Sequence, residues 1–228
     1  MCGRYSFSKL STEVEKRFKI QIDGNTYVAR YNCTPGQNLG IISNAEPHKL
    51  QLAKWGLIPS WAKDSKTAFI NARAESLDEK PAFKDAFKTK ACLIPADGFY
   101  EWKPGDKNKI PYHICLKSRE IFSFAGLWSE WENPENGKLI RSFTIITTQA
   151  NKLIQSIHQR MPVILPHHLE KEWLENTNKK DLQKMLQAYD GAKMEVYEVS
   201  RHINNIDSKG AKLIEPYNNP KQLNLFGK

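Results

Sequence analysis

Leu10, Val14 and Phe18 recur at i, i+4 and i+8 in an otherwise polar stretch, which predicts a helix over residues 11–19 with Ser11 as its cap. The middle of the chain has a different texture. LQLAKWGLI (50–58), ACLIPADGFYEW (91–102), IPYHICL (110–116), IFSFAGLW (121–128) and SFTIITT (142–148) are rich in β-branched and aromatic residues and read as strands. Pro104-Gly105-Asp106 and Asn136-Gly137 punctuate them as hairpin turns. Helical spacing then returns. Thr148 or Asn151 opens a short helix through Ile157, and Pro166 suits the first turn of another ending near Leu174. Asp181 caps a third, with Leu182, Met185, Leu186 and Tyr189 along one face. MEVYEVS (194–200) is a last strand before an irregular tail.

Strands outnumber helices and seldom alternate with them, so the predicted class is α+β with a curved, largely antiparallel sheet. No internal repeat and no linker rich in Pro, Gly or Ser divides the 228 residues, which predicts a single domain with its own core. Apolar residues at 40% and charged residues at 26% are ordinary for a globular protein. No run of about 18 apolar residues marks a membrane span. MCGRYSFSKL lacks the apolar centre of a signal peptide, so the cytoplasm is the expected compartment. Cys2, Cys33, Cys92 and Cys115 lie far apart without a C-x-x-C pair, which argues against a zinc site or a disulfide scaffold. Neither a metal nor an organic cofactor is expected. The net charge of +9 favours a polyanionic partner, although lysine-rich loops also serve solubility.

Candidate chemistry begins at Cys2, directly behind Met1. Removal of Met1 would leave an α-amine and a thiol on adjacent carbons, with pKa values of roughly 7.7–8.0 and 8.5. A 1,2-aminothiol condenses with an aldehyde to a Schiff base, which the thiol closes to a thiazolidine. Three further places concentrate polar groups: Asn71, Arg73 and Glu75 in INARAES (70–76), Glu101 between Tyr100 and Trp102, and His158 with Arg160 in IHQRMP (157–162). Each residue also has an ordinary structural use, since a strand glutamate can face solvent and a histidine can cap a helix end. Together they supply an amine, a thiol, a carboxylate, an imidazole and an amide, a sufficient set for imine chemistry.

MCGR (1–4), RYNCTPGQ (30–37), WGLIPSWAKD (55–64), INARAES (70–76), IPADGFYEW (94–102), TTQAN (147–151), IHQRMPVIL (157–165) and VSRHINN (199–205) occur in this order. With them the chain resembles the SRAP family, the SOS response-associated peptidase-like proteins, over about residues 1–217. The resemblance implies a barrel-like β core with peripheral helices. It also implies a role in DNA damage: sensing of abasic sites in single-stranded DNA, with a covalent thiazolidine crosslink that shields the site during replication. Cys2 would attack the open-chain sugar aldehyde and Glu101 would carry protons. His158 would assist ring opening and crosslink reversal, and Asn71 would orient the amine or the sugar. Arg4 and Arg73 would hold phosphates, Arg160 would contact a phosphate or brace the site, and Trp61 would stack on a base unless it anchors the core. A monomer associated with the nucleoid is expected.

Two other functions stay open. Cys2 with Glu101 and His158 would suit a cysteine peptidase or amidase, including one that removes its own Met1, although no propeptide beyond Met1 precedes Cys2. A non-catalytic single-strand binder would use Arg4, Arg73 and Trp61 but leave the aminothiol idle. Residues 218–228 are expected to form a flexible tail, in which Gln222, Leu223, Leu225 and Phe226 resemble the short peptide that docks on the bacterial sliding clamp. The alternative is that these apolar residues fold back on the domain.

Overall fold

Asp97 divides the apolar run 91–102 into two strands that belong to different sheets, and that division sets the plan of the molecule. The computed structural model describes residues 2–24, 27–105 and 109–217. β6 (Ala91–Ala96) ends before Asp97 and β7 (Gly98–Lys103) begins after it. β6 joins β3 (Asn38–Ser43), β4 (Gln51–Trp55), β9 (Phe122–Glu132) and β10 (Leu139–Gln149). The pairings β10–β4, β4–β3, β3–β6, β6–β9 and β9–β10 return to their starting strand, so these five close a barrel with no free edge among them.

Short strands decorate the barrel. β5 (Asn71–Arg73) adds in parallel to β10, β11 (Arg160–Pro162) adds antiparallel to β10, and β12 (Ile164–Leu165) lies on β9. The second sheet has the order β13-β8-β7-β1-β2, formed by β1 (Tyr5–Phe7), β2 (Arg30–Cys33), β7, β8 (Ile110–Leu116) and β13 (Met194–Glu198). Aromatic side chains fasten it to the barrel. Tyr5 lies 5.3 Å from Trp55 and 5.8 Å from Phe124, and Phe99 lies 6.0 Å from Phe124, centroid to centroid. Offset and edge-on rings of this kind add about 0.5–1.5 kcal/mol each to the area they bury.

Among the described residues four α-helices pack outside: α1 (Ser11–Phe18), α2 (Lys84–Thr89), α3 (His167–Glu175) and α4 (Lys179–Met185). The α+β single domain with a barrel core is therefore as expected, and several boundaries are not. Leu10, not Ser11, precedes α1; Glu13 accepts from the Leu10 N–H at 3.0 Å, and Leu10 is 68% exposed, so only Val14 of the proposed apolar triad is fully buried. The helix expected up to Ile157 is a series of turns, opened by Asn151 Oδ1 accepting from the Ile154 N–H. Asn178 rather than Asp181 caps α4, accepting from the Lys180 N–H. α2 was not among the expected helices. Among the described residues no helix is long and apolar enough to cross a membrane, and no cluster of His, Cys, Asp or Glu has the arrangement of a metal site. The tail with Gln222, Leu223, Leu225 and Phe226 lies outside the described residues.

Candidate functional site

β1 delivers the N-terminal residues to the edge of the barrel. Tyr5 pairs with Phe99 and Ser6 with Gly98, and the Tyr100 N–H donates to the Arg4 carbonyl at 3.0 Å. Continued along the chain, this register carries Cys2 to the end of β7 that holds Glu101 and Trp102. A buried polar group keeps β1 in place. Ser6 Oγ donates to Asp97 Oδ1 at 2.5 Å and meets His113 Nε2 at 3.1 Å, while Asp97 Oδ2 accepts from both the N–H and the hydroxyl of Ser8. Burial lowers the His113 pKa to about 3, so this histidine is neutral.

Cys2 is fully buried, and its thiol donates to the Arg4 carbonyl at 3.6 Å. Burial raises its pKa far above the ordinary thiol value, and the charge of Glu101 raises it further, so sulfur is held as the thiol at neutral pH. Glu101 is itself buried, and loss of hydration raises its pKa despite the opposing pull of His158. His158 Nδ1 stands 4.0 Å from Glu101 Oε1, with the His158 side chain 30% exposed. The Arg160 N–H donates to the same Nδ1 at 3.0 Å. Thiol, carboxyl and imidazole thus form one series from the interior to the surface.

β10 is the spine beside this series. Asn71 on β5 stands opposite Ile145, Arg73 opposite Thr147, and on the other side Pro162 faces Thr147 and Arg160 faces Gln149. Asn71 Nδ2 donates to the Ile145 carbonyl at 3.5 Å, and its buried Oδ1 has no hydrogen-bond partner among the described residues. An orphaned buried acceptor is rare and is met by a donor from a ligand or water. Arg73 is exposed and makes no ion pair among the described residues. Arg160 grips Glu75 with both terminal nitrogens, at 2.7 and 2.9 Å, and donates to the Thr147 carbonyl at 2.6 Å. Glu75 is 49% exposed on its side chain, so as an ion pair this contact adds at most about 1 kcal/mol to stability.

Arg4 is more engaged than its sequence context suggested. Its Nη1 donates to Asn32 Oδ1 at 3.0 Å and the Ile203 carbonyl at 2.6 Å, and its guanidinium lies 5.4 Å from the Trp102 ring. Among the described residues its hydrogen bonds all run from Nη1. Trp61 is 56% exposed, which removes the core-anchor alternative, and its indole N–H donates to the Pro81 carbonyl at 3.4 Å. Trp55, six residues earlier, is buried. Asn32, Thr147 and Glu75 were given no role from sequence. Each acts by holding another residue, and its only signal was its place inside RYNCTPGQ, TTQAN or INARAES.

The family model described as SOS response associated peptidase (SRAP) matches residues 1–206. The chain is 46% identical over 225 residues to the abasic site processing protein YoqW of Bacillus subtilis, covering 95% of this chain and 100% of that protein. It is 31% identical over 186 residues to the abasic site processing protein HMCES of Xenopus tropicalis, covering 67% of this chain and 56% of that one. A solved structure of a protein from Bacteroides thetaiotaomicron superposes with a TM-score of 0.87 at 29% identity, over 95% of this chain and 100% of the other. The chain belongs to the SOS response associated peptidase (SRAP) family.

Proposed function

We propose that this protein captures abasic sites in single-stranded DNA as a covalent thiazolidine, through Cys2 exposed as the first residue by removal of Met1. The carrying observation is the buried Cys2 thiol beside a buried Glu101, with His158 at the solvent side of that carboxyl. The names of the relatives, abasic site processing proteins, support the substrate.

The residues divide the reaction as follows. His158 gives a proton to the ring oxygen of the abasic sugar, the anomeric hydroxyl gives its own to solvent water, and the bond between the anomeric carbon and the ring oxygen breaks to leave the open-chain aldehyde. The neutral Cys2 amine adds to the aldehyde carbon. Glu101, whose acid form burial favours, delivers its proton to the departing hydroxyl; water leaves, and the nitrogen proton returns to Glu101, leaving an imine. The thiol then adds to the imine carbon: a C–S bond forms, the C=N bond becomes single, and the S–H proton passes to nitrogen through Glu101. One water is released in all, with no oxidant or reductant. The orphaned Asn71 Oδ1 accepts from the amine or a sugar hydroxyl. Arg73 and the remaining edge of Arg4 meet the flanking phosphates, Arg160 braces the site through Glu75, and Trp61 stacks on a base. The residues 222–226 tether the protein to the sliding clamp.

The raised thiol pKa speaks against a cysteine peptidase, which attacks as a thiolate stabilised by a neighbouring cation. Here the neighbour is a carboxyl that disfavours the thiolate. Borohydride added to protein and abasic oligonucleotide is expected to trap a Schiff base through the Cys2 amine, while model peptides stay intact. Peptide cleavage that needs Cys2, with no trapped DNA adduct, would reverse the choice.

A further inference from the structure

β1, which leads back to Cys2, is only three residues long, and its backbone pairing gives it a weak register. Against β7 it has two facing pairs, Tyr5 with Phe99 and Ser6 with Gly98. Against β2 the ladder is irregular: Tyr5 faces Cys33 and Phe7 faces Arg30, so Tyr31 and Asn32 share the place opposite Ser6. A slip of one residue would carry Cys2 about 3.3 Å along the site and reverse the faces of Tyr5, Ser6 and Phe7. Side chains around Asp97 add the hold that the ladder lacks.

Asp97 is buried at the corner where β6 passes into β7. Its N–H donates to the Ser6 carbonyl at 2.9 Å, and its Oδ1 accepts from Ser6 Oγ. Its Oδ2 accepts from the N–H and the hydroxyl of Ser8, at 2.6 and 2.7 Å. One residue thus grips both Ser6 and Ser8, and Ser6 by main chain and side chain alike. On its other side Ser6 Oγ meets His113 Nε2 at 3.1 Å. The ring comes that close because residue 98 is glycine, where a Cβ would collide with the imidazole. Nδ1 of the same ring lies 2.9 Å from the Tyr197 hydroxyl on β13, which anchors the grip across the sheet. A slipped β1 would leave these buried polar groups unmet.

We infer that Asp97 is a positioning residue for Cys2: by fixing Ser6 and Ser8 it sets the register of β1, and with it the place of the amine and thiol beside Glu101. The inference rests on the proposed chemistry at Cys2. Asp97→Asn tests it, because the amide keeps the shape and puts a donor where an accepting oxygen stood. Two readouts separate a lost register from a loosened fold. Without DNA, iodoacetamide labelling followed residue by residue is expected to reach Cys2 about tenfold faster in Asp97→Asn. Cys92, equally buried in β6, is expected to keep its parent rate. At saturating abasic single strand, the single-turnover rate constant of crosslinking is expected to fall about tenfold, because the amine no longer meets the aldehyde. A merely less stable fold would lower the amplitude and leave that rate constant alone. Ser8→Ala removes one hydroxyl of the grip and is expected to shift both readouts the same way by a smaller factor, so it decides the matter where Asp97→Asn does not fold. Cys2 and Cys92 labelling that rise together, labelling of both at parent rates, or a lost amplitude at the parent rate constant would overturn the inference. An unaltered protein that forms no crosslink would refute the proposed function, and the labelling of Cys2 against Cys92 would then alone decide whether Asp97 places Cys2.

Discussion

Cys2 and Glu101 are both pushed to higher pKa by the same burial, and the consequences differ because their ordinary values differ. A raised thiol simply stays protonated at neutral pH. A raised carboxyl is brought toward the range where it can both give and accept a proton. Glu101→Gln keeps the shape and removes the proton carrier, so adduct formation should slow by about 10²–10⁴-fold with DNA affinity nearly unchanged. The same substitution bears on stability. Because the folded pKa of Glu101 is above its ordinary 4.5, stability is full below that value and is lost as pH rises through the folded pKa. Glu101→Gln should therefore melt higher than the parent at neutral pH, with the difference closing below about pH 4. Equal melting at both pH values would refute the burial argument. At the outer rim Arg73→Ala should weaken intact and abasic single strands alike and flatten the salt dependence by about 0.7 in log–log slope for the lost phosphate. A loss confined to one sequence context would contradict that role. The chemistry-bearing residues were legible because amine, thiol, carboxylate and imidazole announce themselves by type. Glu75, Asn32 and Thr147 were not, since a residue that holds another has no signature until the fold brings the two together.

β10 carries more of the architecture than its sequence suggests. Its apolar run SFTIITT predicts a strand, but nothing in that run tells that β4, β5, β9 and β11 all pair with it, two of them in parallel. Long β-branched runs were readable, whereas three-residue strands such as β1, β5 and β11 are too short to carry a period and owe their form to their neighbours. The barrel also leaves a mark at a single glycine. Gly126 on β9 faces β6 so closely that a Cβ would collide with the Ile94 side chain, stand 2.9 Å from the Thr144 carbonyl and 3.1 Å from Cys92 Sγ. Gly126→Ala should destabilise the fold by about 1–3 kcal/mol, read as a lower midpoint in thermal or urea unfolding. An unchanged midpoint would mean that the wall between β6 and β9 yields more easily than a closed barrel should.

At the scale of the molecule, a net charge of +9 on 228 residues surrounds a site whose proposed substrate is a polyanion with one aldehyde. On the proposed function, charge would bring any single strand and only the abasic aldehyde would convert the encounter to a bond. The proposed clamp peptide would add a third level, delivery to replication. Deleting residues 222–228 should abolish binding to the sliding clamp and leave crosslinking intact; an intact protein that does not bind the clamp would remove that proposal. The central claim is that Cys2, with its amine free, is the atom pair that closes on the lesion. The most direct measurement is denaturing electrophoresis of the protein after incubation with abasic single-stranded DNA, beside Cys2→Ser and a version extended by a tag ahead of Cys2. A band shift that survives boiling in the parent and is absent from both variants is the predicted result. A stable shift in the tagged protein, whose Cys2 nitrogen is an amide, would contradict it.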